Sequence, residues 1–393
     1  MNGFVLPARE GPIRVLHLTA VSTSNYYLNN LVDYSDPQSV AFGMATLAGR
    51  GSFTDDLQRR GVATFPLAAS SRLQYPRALR RISTIIRKER IEVIHSHLFD
   101  PSLLGGWAAS RHRLPHVLTR HHSDALHRLQ PLARRKLYLA IEGWVTRRAS
   151  RIIAPARMVR DVLQEIEGIS PSRVAILPYP QAPGRFDAVT ADSVRRVRAT
   201  LEMEGHVALV YVARLHPEKG HAVLLDALSQ LVPQFPGIRL YLVGEGGLRP
   251  GLEETTSRRG LNAHVRFLGW REDALAVLAA ADLVVHPSLH EALPSAVIEA
   301  VVLGRPVVAS DVSGVRDILN DGEFGAIVPP ANVDALQATI ARVLRELPAA
   351  RRRAEGGRRF VLEYMEPGRV AEAHLACYLE AVTEARNGNN RSS

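Results

Sequence analysis

A single cysteine, Cys377, in 393 residues leaves no internal disulfide framework and no multi-thiolate metal site, as suits a reducing compartment. No window approaches ~18 uninterrupted apolar residues, so no membrane-spanning helix is expected. The opening MNGFVLPARE lacks the basic-then-apolar order of a secretory signal, and a soluble, cytoplasmic protein is the expectation. No D-x-D carboxylate pair, internal repeat or low-complexity tract occurs, and no glycine stands between Gly11 and Gly43.

The length exceeds what one hydrophobic core usually organises, so two domains of roughly 150 to 200 residues each are expected. The net charge of +10 is unevenly placed. Residues 1–190 hold 26 Lys and Arg against 14 Asp and Glu, a net of +12, whereas residues 191–393 hold 23 against 25, a net of −2. Arginines of the first half lie on helix-like segments such as PRALRRISTIIRKER and ARRKLYLAIEGWVTRRASR, mixed with Leu, Ile and Trp. That mixture favours an anionic membrane surface over nucleic acid, with solvated helix faces as the plain alternative.

Short β-branched runs alternate with longer amphipathic ones: IRVLHL, IEVIHS, RIIAPA, RVAILP, VALVYVA, IRLYLVG, HVRFLG, DLVVHPS, RPVVAS and GAIVPP. Such alternation marks parallel sheets with crossover helices, hence an α/β chain of two Rossmann-like, doubly wound domains; if the two face each other, the active site is the cleft between them. The Pro- and Gly-rich ILPYPQAPGRFDAVTADS places the linker near 180–190. The expected boundaries are 1–185 for the first domain, 186–366 for the second, 367–386 for a last helix and 387–393 for a disordered tail.

Ligands in such folds bind beyond the strand C-termini. After VALVYVA, Arg214 and Lys219 occupy a strand-to-helix loop that ends at a helix beginning near Gly220, an arrangement suited to a diphosphate. Gly244, Glu245, Gly246 and Gly247 follow the next strand, where either close ligand approach or a tight turn accounts for the glycines. In HEALPSAVIEA, Glu291 sits in a loop and Glu299 in the helix that begins near Pro294. Neighbours of Glu299 are apolar, and an unpaired charge there costs several kcal/mol, so both carboxylates read as ligand-facing. The amides of Leu293, Pro294, Ser295 and Ala296 at the helix start would face phosphate.

The ordered set of Arg214, Lys219-Gly220, LVGEG, RFLG, Glu291, Glu299 and GRPVVASDVSGVRDILNDGEFGAIVPP resembles the retaining GT-B glycosyltransferases of glycosyltransferase family 4. More loosely, RGSFTDDLQRRGVATFPL, IEVIHSHLFDPSLLGG and HVLTRHHSD resemble that family's acceptor domain, and PGRVAEAHLACYLEAV its helix crossing back to the first domain. The resemblance implies that Arg214 and Lys219 clamp the leaving diphosphate, Glu291 holds sugar hydroxyls and Glu299 the ribose, with Gly244 nearby. It implies a cleft histidine near the reaction centre, His121 or its neighbour His122, and puts His97 and His122 toward the acceptor. The family's Gly-Gly loop after the first strand is replaced by Ser22, Thr23, Ser24 and Asn25, and Ala292 stands where Gly is frequent.

The implied activity is metal-independent transfer, with retention, of a hexose-type sugar from a UDP or GDP donor. No cofactor is implied beyond that co-substrate. The acceptor would be a saccharide or lipid-linked saccharide, and no nucleic-acid partner is expected. The cations and helix amides would act where charge develops on the diphosphate, and attack on the leaving-group face would preserve configuration. Two alternatives stay open: a metallohydrolase built on His95, His97, His121 and His122, and a catalytically degenerate binding protein of the same fold.

Overall fold

The computed structural model describes residues 11–23, 25–121 and 131–390. They divide into two compact units, Met1–Gln181 with Pro367–Ser393, and Ala182–Glu366.

In the first unit, seven strands are β1 (Ile13–Thr19), β2 (Val40–Thr46), β3 (Ala63–Pro66), β4 (Val93–His97), β5 (His116–Thr119), β6 (Arg151–Ala154) and β7 (Val174–Ile176). They form a parallel sheet in the order β3-β2-β1-β4-β5-β6-β7. The two-residue period of a strand sorts the side chains to its two faces. Leu16 and Leu18 of β1 and Ile94 of β4 join Ala78, Ile82 and Leu104 in one buried cluster. Ile13, Val15, Val93, Val117 and Ile153 join Cys377, Tyr378, Ala381 and Val382 of the helix Pro367–Asn390 in another. That same period puts His17, His95, His97 and Thr119 on the face covered by the last helix. The buried Arg151 guanidinium of β6 fastens this helix through Glu380 at 3.1 Å and Glu384 at 2.5 Å.

The second unit holds β8 (Val207–Val212), β9 (Ile238–Val243), β10 (Val265–Gly269), β11 (Leu283–His286), β12 (Val307–Ser310) and β13 (Ala326–Val328). Its parallel sheet has the order β10-β9-β8-β11-β12-β13. Strand order therefore reverses between β1 and β4 in one unit and between β8 and β11 in the other, and each reversal opens a crevice at the strand C-termini.

Three strands escape the sequence pattern, namely β2, β3 and β5. Gly43 and small side chains dilute β2, β3 ends in Pro66, and β5 is four residues beginning with a histidine. The tail expected from 387 is corrected as well, because the last helix continues to Asn390. No described helix is long and apolar enough to cross a membrane.

Candidate active site

In the second unit, the loops after β8 and β11 meet at the strand reversal. The turn Pro217–Lys219 leads to Gly220 at φ +67°, and a Cβ there would lie 2.1 Å from the Pro287 carbonyl oxygen. Only glycine fits both the left-handed conformation and that approach. The Leu289 amide donates to the Glu218 carbonyl at 2.8 Å, and the buried Tyr211 hydroxyl to the Lys219 carbonyl at 2.7 Å, so the two loops form one piece.

Lys219 Nζ donates to Glu291 Oε1 at 2.5 Å. The same oxygen accepts from Ser288 Oγ at 2.9 Å and from His286 Nε2 at 3.2 Å. Glu291 Oε2 has no partner among the described residues. Burial pushes the Glu291 carboxyl upward, but the His286 and Lys219 contacts outweigh it and hold the group down at about 2. Beside it His221 is lowered to about 4, by burial first and then by Lys219 and His286.

Arg214 stands outside this network. Its side chain is 73% exposed, against 14% for Lys219 and for Glu291, and it pairs with Glu218 at 3.2 Å. Glu299 lies in the helix Ser295–Val302, buried, and its Oε1 accepts from Arg185 at 2.5 Å. Burial raises the Glu299 carboxyl while Arg185 opposes the rise. A guanidinium from the linker therefore satisfies the carboxylate assigned to a ligand.

At the helix start one assignment is corrected: Pro294 has no N–H to offer and serves instead as the N-cap residue, fixing where the helix begins. Leu293 is buried and Ser295 exposed. The first helical donors, Val297 and Ile298, both reach the Pro294 carbonyl, and the amides of Leu293, Ser295 and Ala296 have no acceptor among the described residues. Gly244 also takes a different explanation. At φ +135°, a Cβ there would sit 2.1 Å from the Ala213 carbonyl oxygen, so the neighbouring loop's backbone, rather than a ligand, demands glycine.

The first unit holds a file of histidines at its own strand reversal. His17 Nδ1 and His97 Nε2 are 2.9 Å apart, His97 Nδ1 and His121 Nε2 3.1 Å, and His121 Nδ1 lies 2.8 Å from the Tyr179 hydroxyl. His95 bonds Tyr378 through Nδ1 at 2.8 Å and Thr119 through Nε2 at 2.7 Å. Burial lowers His17 to about 3 and drives His95 and His97 well below the usual histidine range, so all three are neutral at pH 7.

His97 is consequently corrected as an acceptor-facing group: it is 2% exposed and both ring nitrogens are engaged inside the unit. His121 is half-buried with both nitrogens engaged, and His122 and Ser24 lie outside the described residues. In the loop after β1, Asn25 caps the helix Tyr26–Tyr34 by accepting from the Leu28 amide, and the Ser22 carbonyl accepts from Phe53. Among the described residues, the histidines that bring one ring nitrogen each within 4.8 Å of one another are His17, His95 and His97, a different set from the metal ligands proposed from sequence.

His286 and Ser288 stand at a strand end, where the strand-end rule would have found them. Arg185, His17, Tyr179 and Tyr378 carry no local signal.

A family model described as Glycosyl transferases group 1 matches residues 196–360, and one described as Glycosyltransferase Family 4 matches residues 26–180. The Alpha-D-kanosaminyltransferase of Streptomyces kanamyceticus is 29% identical over 221 residues, 55% of this chain and 57% of that protein. The 2-deoxystreptamine glucosyltransferase of the same organism is 27% identical over 320 residues, 79% and 82% respectively. The crystal structure of Anabaena HepE in complex with UDP-glucose superposes with a TM-score of 0.78 at 20% identity, covering 93% of this chain and 98% of that one.

Proposed function

This chain belongs to the GT-B glycosyltransferases, and from that premise we propose that it transfers a hexose from a UDP-sugar to a saccharide or lipid-linked acceptor, with retention and without a metal. The observation that carries the reading is the division of labour within Glu291. One oxygen is spent on Lys219, Ser288 and His286, which fixes the carboxylate in place and keeps it ionised; the other has no described partner. A preset, ionised acceptor beside undirected amides is what a polyhydroxylated ligand with a phosphate requires. The likeness to a protein that binds UDP-glucose supports the choice of base and sugar, and the glucosyl transfer in the name of one relative supports the sugar.

Lys219 and the Leu293, Ser295 and Ala296 amides then act where charge builds on the departing diphosphate, and stabilise that state more than the bound donor. Arg214, exposed and held by a single exposed partner, turns to the diphosphate when a donor binds. Glu299 takes the ribose by exchanging part of its contact with Arg185. With fixed cations at the leaving group, no metal is called on. Same-face attack gives retention: the acceptor oxygen bonds to the anomeric carbon as the sugar–phosphate bond breaks, and the acceptor proton passes to the phosphate oxygen.

For the acceptor, the first unit exposes Leu73, Leu132 and Leu137 beside Arg72, Arg77, Arg134 and Lys136. Apolar side chains among cations suit an anionic membrane surface carrying a lipid-linked acceptor. Flotation with anionic vesicles, abolished by reversing these charges, tests that part. Heating the protein with a panel of nucleotide sugars tests the donor: UDP-hexoses raise the unfolding temperature, and equal stabilisation by all nucleotides overturns the choice.

A further inference from the structure

Glu291 and Glu299 are held on one plan to different depths. Glu291 spends Oε1 on three side chains, Lys219, Ser288 and His286. Glu299 spends Oε1 on one, the Arg185 guanidinium at 2.5 Å; among the described residues no other side chain bonds it, and its Oε2 has no partner. Only 10% of the Glu299 side chain is exposed. Burial there favours the neutral carboxyl, and Arg185 opposes it. Both the charge and the aim of this carboxylate therefore depend on a single residue.

The linker holds that residue firmly. Arg185 lies in the 3-10 turn Pro183–Phe186, which opens on a proline of fixed φ. The Arg185 amide donates to the Ala182 carbonyl at 3.2 Å, the Asp187 amide to that of Gly184 at 3.3 Å and the Val189 amide to that of Phe186 at 3.0 Å. Phe186 is buried, and its ring centre lies 5.7 Å from the guanidinium carbon. A guanidinium launched from a turn already ordered loses less conformational freedom on pairing than one on a loose loop.

A carboxylate offers about four lone pairs, and a neutral carboxyl gives one oxygen over to its own proton. With Arg185 on Oε1, the charged form keeps Oε2 and part of Oε1 for two hydroxyl donors, the number that a ribose diol brings. We propose that Arg185 is the positioning residue of the ribose site: it holds Glu299 charged, with Oε2 left to accept, and so sets a preference for a ribonucleotide over a 2′-deoxyribonucleotide. Arg185 touches no substrate in this role and acts through Glu299. The inference rests on the reading of Glu299 as the ribose ligand.

Isothermal titration calorimetry of the full chain with UDP and with 2′-deoxy-UDP tests this without an acceptor. Wild type binds UDP about 10- to 100-fold more tightly, the worth of one hydrogen bond to a charged group. Arg185→Gln, which keeps an amide donor but loses the charge, weakens UDP more than 2′-deoxy-UDP, so the preference falls below about threefold. Arg185→Lys restores most of it. Glu299→Gln removes the preference by itself, and Arg185→Gln in that background changes nothing further. An undiminished preference in folded Arg185→Gln overturns the inference. So do losses that simply add in the double variant, which mark the pair as a fastening of the linker to the helix. Failure of wild type to bind UDP at all overturns the donor reading itself, whereas UDP binding indifferent to Arg185→Gln sinks the inference alone.

Discussion

Lys219 Nζ donates to Glu291 Oε1 at 2.5 Å, and the two residues come from loops 72 positions apart in the chain. The contact forms because β8 and β11 are neighbours at the strand reversal. It sets the charge of the site: with His286 it holds the Glu291 carboxyl at about 2 against the upward push of burial.

A pH dependence follows for Glu291. Its folded value lies below the ordinary 4.5, so the stability it contributes is whole above that value and is lost as pH falls toward about 2. The difference in unfolding temperature between wild type and Glu291→Gln is therefore expected to narrow as pH is lowered through this window. A constant difference contradicts the assignment.

Glu142 gives the opposite sign. It sits 2.9 Å from Arg120 beside Glu167, and burial, with Glu167 adding, raises its carboxyl to about 7 although Arg120 opposes the rise. The unfolded chain loses this proton near 4.5 and the folded one near 7, so stability drains away as pH rises between those values. Glu142→Gln, which cannot ionise, gains on wild type by about 1–3 kcal/mol across that interval. Denaturant melts at the two ends measure it, and an unchanged gap refutes it.

Arg185 and Glu299 form a pair in which the carboxylate is the more buried member. Removing the cation alone leaves a charge with little solvent, so Arg185→Leu costs about 1–3 kcal/mol. The double variant with Glu299→Leu recovers most of that loss. A double-mutant cycle in urea checks the coupling, and strict additivity speaks against it.

Gly244 and Gly247 separate backbone crowding from simple turn preference. Gly244→Ala drives a Cβ to 2.1 Å from the Ala213 carbonyl oxygen and costs about 3 kcal/mol. Gly247→Ala, with nothing within 4 Å of the added carbon, is nearly neutral. Thermal melts of the two variants decide.

Much of this was legible before any coordinates. β1, β4 and the second-unit strands show as apolar β-branched runs, and those runs end where Lys219, His286 and Glu291 begin. Hidden parts share a physical cause, since they depend on residues far apart in sequence. Arg185 looks like one more linker arginine until the fold sets it on Glu299. The H-x-H of β4 places His95 and His97 on one face, but only the last helix, bringing Tyr378, joins His95 to His17. Pro294 is the converse case, because the residue type alone rules out an N–H donor there.

Transfer from a UDP-hexose by Lys219→Ala tests the central claim most directly, with folding verified by an unchanged near-UV spectrum. Losing the fixed cation at the leaving group lowers turnover by at least ~10²-fold. Wild-type turnover in that folded variant would contradict the site.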